Sequence, residues 1–96
     1  FHDNAHLIVD GGKIAGIEDG PSPAGLRHVD LEGGILSPGF IDVQVNGGGG
    51  VMLNDDPSPA TMARIAEAHR AFGTTALLPT LITDSGEVTA KALAAG

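Results

Sequence analysis

The stretch IDVQVNGGGG, residues 41–50, sets two neutral amides, Gln44 and Asn46, at the end of an alternating apolar run. A spacing of two puts both on one side of an extended strand. Each amide offers donors and an acceptor, so the pair could bind a water, a carbonyl or a sugar hydroxyl. In the plainer alternative Asn46 turns the chain and Gln44 satisfies backbone groups, and on residue types alone that alternative weighs more. Asp42 shares the face but lies deeper, where a buried carboxylate needs a partner; it could orient a neighbouring loop or site group. Gly47 and Gly48 open a glycine run whose N–H groups could approach an anion. Neither G-x-G-x-x-G nor Gly-Lys-Ser/Thr is present, so a flexible or close-packed turn is the default. Thr80 stands near the end of a later strand. Of the four histidines, only His2 and His6 are close in sequence, and a separation of four does not gather metal ligands on an extended segment. His69 falls on a helix's apolar stripe and reads as a packed core histidine. No Ser-His-Asp set, closely paired carboxylates or lysine in an apolar niche can be found.

The elements that must position these residues follow from periodicity and punctuation. Residues 6–9 read as a strand, DGGK at 10–13 as a turn, and KIAGIED at 13–19 as a second strand with Ile14 and Ile17 inward. Its glycine could mark a bulge. GPSPAG, 20–25, is a loop, and a further strand is predicted around Val29 and Leu31. FIDVQV, 40–45, has the apolar character of a strand buried on both faces for part of its length. Ser58 then caps a helix with Pro59 at its first position, preceded by Asp55 and Asp56. That helix runs to about Phe72, with Met62, Ile65, His69 and Phe72 on one stripe and Gly73 as the stop. TALLPTLI, 75–82, reads as a strand and DSGEVTAKALAA, 84–95, as the start of another helix. Strand, helix, strand, helix predicts a parallel α/β sheet with crossover helices.

Composition narrows the function classes. Among 96 residues, 42% are apolar but only 3% aromatic, so a core must be built from Ala, Val, Leu and Ile. A net charge of −7 with five scattered Lys and Arg argues against a nucleic-acid partner. The absence of cysteine excludes disulfides and thiolate chemistry within this stretch and is compatible with the cytoplasm. No apolar run approaches the ~20 residues of a membrane span. Residue 1 is Phe rather than Met, and the last helix has no evident terminator, so the chain reads as an internal piece of a longer protein.

ILSPGFIDVQVNGGGG, 35–50, together with LLPTLIT, 77–83, resembles the N-acetylglucosamine-6-phosphate deacetylases of the amidohydrolase superfamily. In that superfamily a Pro-Gly-Phe-Ile-Asp stretch, matched here by residues 38–42, leads into the first strand of a (β/α)8 TIM barrel. The strand typically ends in His-x-His, two ligands of a catalytic metal; here those positions are Gln44 and Asn46. A neutral amide is a poor ligand beside imidazole, so the resemblance implies a mononuclear enzyme. It implies one divalent metal per subunit, zinc or iron, held by a glutamate and two histidines from later strands, with an aspartate doing acid–base work. All of these lie outside residues 1–96. Gln44, Asn46, Gly47, Gly48 and Thr80 would line the pocket, with Asp42 behind them.

The expected architecture is accordingly α/β. Residues 1–36 would supply strands of a small β-sandwich, and residues 37–96 the first two β/α units of the barrel. The expected reaction is hydrolysis of the acetamide of N-acetyl-D-glucosamine 6-phosphate by the full-length protein, a cytoplasmic homodimer. Two alternatives stand beside it: another amidohydrolase or deaminase, which would normally show His-x-His, and a non-catalytic binding or structural module.

Overall fold

The computed structural model describes residues 2–96 and divides into two compact units, the first running to Leu36 and the second Ser37–Gly96. In the first, β1 (Ala5–Asp10) and β2 (Lys13–Asp19) form an antiparallel hairpin. Gly11 and Gly12 make its turn with φ of +55° and +76°. Positive φ at both central residues gives a tight turn whose twist matches the strands, and glycine adopts it without strain. Ile8 pairs with Gly16 and Val9 with Ile14, so Ala15 is an extra residue: the bulge sits beside the glycine that suggested it.

Two expectations fail in this unit. Ile14 and Ile17 are exposed rather than inward, because a two-stranded sheet has no opposing layer to cover either face. The strand predicted around Val29 and Leu31 does not form. Asp30 Oδ1 instead accepts the Glu32 N–H at 2.8 Å, and Gly34 N–H reaches Leu31 O at 3.0 Å. A local turn takes the backbone groups that a strand would have offered to a neighbour.

The second unit contains β3 (Phe40–Val45), β4 (Gly47–Gly48), β5 (Val51–Met52), α1 (Pro59–Arg70), β6 (Thr74–Pro79) and α2 (Gly86–Ala95). β3 and β6 are parallel, with α1 as the crossover, as the strand–helix alternation predicts. Val45, Leu53 and Ile65 form the buried core, with Val51, Met62, Leu77 and Leu81 packed around them. Ser58 Oγ accepts the Thr61 N–H at 3.2 Å, so the predicted cap is formed. At the other end Gly73 (φ +91°) turns the chain, and its carbonyl accepts the Phe40 N–H at 2.9 Å. The end of α1 is thereby tied to the start of β3.

Here too the differences have physical causes. The helix stops at Arg70, so Phe72 lies beyond it and is 81% exposed instead of completing the stripe. Only Val45 of β3 is buried, because α1 covers one face of a two-stranded sheet and Ile41 and Val43 remain 70% exposed. β6 ends at Pro79 rather than Ile82. The Thr80 N–H makes the last bond to β3, at Val45 O, where β3 itself ends, and the backbone of Ile82 pairs with the Asn54 side chain instead.

Two carboxylates brace the helix starts. Asp56 Oδ2 accepts from Thr61 Oγ1 at 2.7 Å and Ser58 Oγ at 2.9 Å, and these bonds hold its carboxyl below the ordinary value. Asp84 is lowered likewise, first by the Asn54 amide and then by the Ser85 N–H. Since folding depresses both values, their stabilisation is complete above the unfolded-state pKa and is lost as pH falls through the folded one. Urea midpoints are expected to drop below about pH 4, and Asp56→Asn is expected to flatten the drop. An identical pH profile for the variant would contradict this.

Candidate functional site

The C-terminal ends of β3 and β6 lie side by side, where parallel α/β sheets carry their functional groups. Asp42 pairs with Leu77 and Val45 with Pro79, so three steps along β3 match two along β6. The extra residue makes a bulge just before the strand ends. At this bulge Asp42 Oδ1 accepts the Gln44 N–H at 3.1 Å. The carboxylate's partner is thus its own strand, a role that shapes the backbone under Gln44.

The two amides have different surroundings. Gln44 is exposed, and its side-chain amide has no hydrogen-bond partner among the described residues. Both donor and acceptor are available to a ligand. Asn46 is half-buried and its side chain is engaged: Nδ2 donates to Thr80 O at 2.9 Å, while the Asn46 backbone carbonyl accepts the Leu53 N–H at 2.9 Å. Thr80 N–H in turn reaches Val45 O at 2.8 Å, and Thr80 Oγ1 donates to Leu78 O at 3.1 Å. Asn46 therefore closes the strand ends onto one another. Gln44, Asn46 and Thr80 come together at one end of the sheet, and two of the three are joined directly.

The glycine run is a small hairpin rather than an open anion cradle. Gly47 pairs with Met52 and Gly48 with Val51, while Gly49 and Gly50 turn with φ of +61° and +79°. It lies against α1: His69 Nε2 is 3.0 Å from Gly47 O, and a Cβ on Gly48 would come within 3.0 Å of the same ring. A carbonyl can only accept, so this bond requires the proton on His69 Nε2. His69 is only half-buried and supports the hairpin, beyond the packing role its stripe suggested.

One residue of this region escapes sequence reading. Asn54, just after the hairpin, binds both the N–H and the carbonyl of Ile82 and also Asp84. An asparagine before Asp-Asp in a loop reads as a turn former, and no spacing marks its partner 28 residues away.

Among the described residues no three of His, Asp and Glu gather to hold a metal ion. His2 and His6 lie near different carboxylates, Asp19 at 3.4 Å and Glu18 at 3.6 Å. These residues do not fit a metal centre by themselves. No described helix is long and apolar enough to cross a membrane.

An α/β unit with two amides at the end of one parallel strand, one of them tied to the adjoining strand end, is the class defined by this geometry, and the comparisons make it specific. No family model matches the chain. It is 48% identical over 85 residues to the N-acetylgalactosamine-6-phosphate deacetylase of Shewanella sp. (strain ANA-3), covering 85% of this chain and 22% of that protein. Identity is 42% over 82 residues with the N-acetylglucosamine-6-phosphate deacetylase of Haemophilus influenzae, covering 84% of this chain and 22% of the relative. The crystal structure of N-acetylglucosamine-6-phosphate deacetylase from Pasteurella multocida superposes with a TM-score of 0.83 at 41% identity, covering 97% of this chain and 25% of that one. The chain belongs to the N-acetylglucosamine-6-phosphate deacetylase family, where it corresponds to the N-terminal region. It spans 22% of the length of the first two relatives.

Proposed function

We propose that the whole protein hydrolyses the acetamide of N-acetyl-D-glucosamine 6-phosphate, giving glucosamine 6-phosphate and acetate. The observation that carries this reading is the exposed Gln44 amide beside the Asn46–Thr80 bond, in a chain 42% identical to a deacetylase of that name. The second unit is read as the opening of a (β/α)8 barrel and the first as strands of a β-sandwich. The parallel β3–α1–β6 unit supports the former. A divalent metal, zinc or iron, would be held by residues elsewhere in the protein. What falls to these residues is binding and shape: Gln44 offers a donor and an acceptor to the sugar, while Asn46, Gly47, Gly48 and Thr80 hold the pocket edge. A cytoplasmic homodimer is proposed on the resemblance alone.

A second reading takes the C4 epimer, N-acetyl-D-galactosamine 6-phosphate, as substrate, and the 48% identity with the Shewanella relative favours it. Specificity constants for the two epimers, measured on the whole protein, decide between them. A preference of about tenfold or more for the gluco sugar is expected, and the reverse preference would support the second reading. The 96-residue chain alone is expected to release no acetate from either; robust metal-dependent release by it would contradict the assignment of catalytic groups elsewhere.

A further inference from the structure

We propose that Asn54 is a positioning residue of the substrate site, fixing the segment after β6 against the glycine hairpin; this rests on the deacetylase reading above. Here a side-chain amide acts as a strand neighbour. Asn54 Nδ2 donates to Ile82 O at 2.9 Å, and Asn54 Oδ1 accepts the Ile82 N–H at 3.0 Å. Both backbone groups of one residue are satisfied by one planar amide, as a neighbouring strand would satisfy them. This happens just past the end of β6 at Pro79, after the Thr80 N–H has bonded Val45 O, so residues 81–84 have no ladder of their own.

The same amide reaches further. Nδ2 also donates to Asp84 Oδ2 at 2.9 Å, and Asp84 Oδ1 accepts the Ser85 N–H at 2.7 Å. Ser85 Oγ then accepts the Val88 N–H at 3.3 Å and caps α2. One residue thus sets Ile82, Asp84 and the start of α2 relative to the hairpin, while Asn46 sets Thr80 from the other side. Together the two asparagines clamp the segment that carries Thr80. Asn54 touches no reacting atom. Its effect on the reaction is the shape of the pocket edge.

Asn54→Asp tests this in the whole protein. The variant is isosteric and keeps the acceptor for the Ile82 N–H, but sets carboxylate oxygen against Ile82 O and Asp84. The KM for N-acetyl-D-glucosamine 6-phosphate is expected to rise about tenfold while kcat stays within about twofold. Adding Asp84→Asn restores a donor between the two side chains and is expected to bring KM back to within about threefold of wild type. A role in stability alone would lower the active fraction and hence kcat, without this split or its rescue. If Asn54→Asp does not fold, the smaller Asn54→Ser serves, with KM raised about fivefold. An unchanged KM in a folded variant, or a fall in kcat alone, overturns the proposal. An inactive wild-type protein would instead overturn the functional reading, so the two failures are distinguishable.

Discussion

Gly47→Ala is expected to destabilise the protein by about 3 kcal/mol, the upper part of the usual range for overpacking. A Cβ at this position would lie 2.6 Å from Val51 O and from Met52 Sδ, and 3.3 Å from Met52 Cα. The methionine side chain can move aside. The Val51 carbonyl cannot, because Val51 is paired with Gly48 across the same two-residue ladder. Relief requires the β4–β5 hairpin to open. Opening it puts at risk the His69–Gly47 bond and the burial of Leu53, which lies directly after β5. Gly86 is the control, since a Cβ there meets nothing within 4 Å and its φ is not positive. Gly86→Ala near the start of α2 is expected to be neutral or to stabilise by up to about 1 kcal/mol, by lowering the entropy of the unfolded chain. Denaturant midpoints of both variants check the contrast. Equal stabilities for the two would contradict the packing described around the hairpin.

Alanine at Gln44 and at Asn46 is expected to separate activity from stability. Gln44 has an exposed amide with no partner among the described residues, so Gln44→Ala is expected to change stability by no more than about 0.5 kcal/mol. On the proposed function its expected effect is on activity: removing the donor and acceptor proposed to meet the sugar is expected to lower kcat/KM by roughly 10- to 100-fold. Asn46→Ala removes the bond to Thr80 O and leaves a half-buried carbonyl short of a donor. A stability loss of about 1–2 kcal/mol is expected with it, together with a fall in activity as the strand ends part. Thermal midpoints and steady-state kinetics on the same preparations make the comparison. Unchanged kinetics in both variants would remove Gln44 and Asn46 from the site, and a large stability loss in Gln44→Ala would mean that its amide has an internal partner.

The parts of this fold legible in the sequence are those with local causes. Ser58-Pro59 and Gly73 punctuate α1 because cap and stop geometry are properties of a few neighbouring residues. Gly11-Gly12 announces the first hairpin for the same reason. The strand expected at Val29 and Leu31 fails because alternation describes only a fit to a sheet, and a strand exists only where a neighbour takes its hydrogen bonds. The bulge in β3 is invisible in FIDVQV, since it depends on the register against β6 and on Asp42 turning to the Gln44 N–H. At the site, the position of Gln44 and Asn46 at a strand end could be read from spacing, whereas their separation into a free amide and an engaged one could not. That difference arises from Thr80, 34 residues away from Asn46. Asn54 is hidden for the same reason, its partners being set by the crossover through α1.

Acetate release from N-acetyl-D-glucosamine 6-phosphate by the purified whole protein, with and without a chelator, is the most direct measurement. Equal amounts of acetate and glucosamine 6-phosphate are expected, abolished by the chelator and restored by zinc or iron. No acetate from this sugar phosphate or its galacto epimer, with the protein folded and supplied with metal, would contradict the assignment of this chain to a working deacetylase.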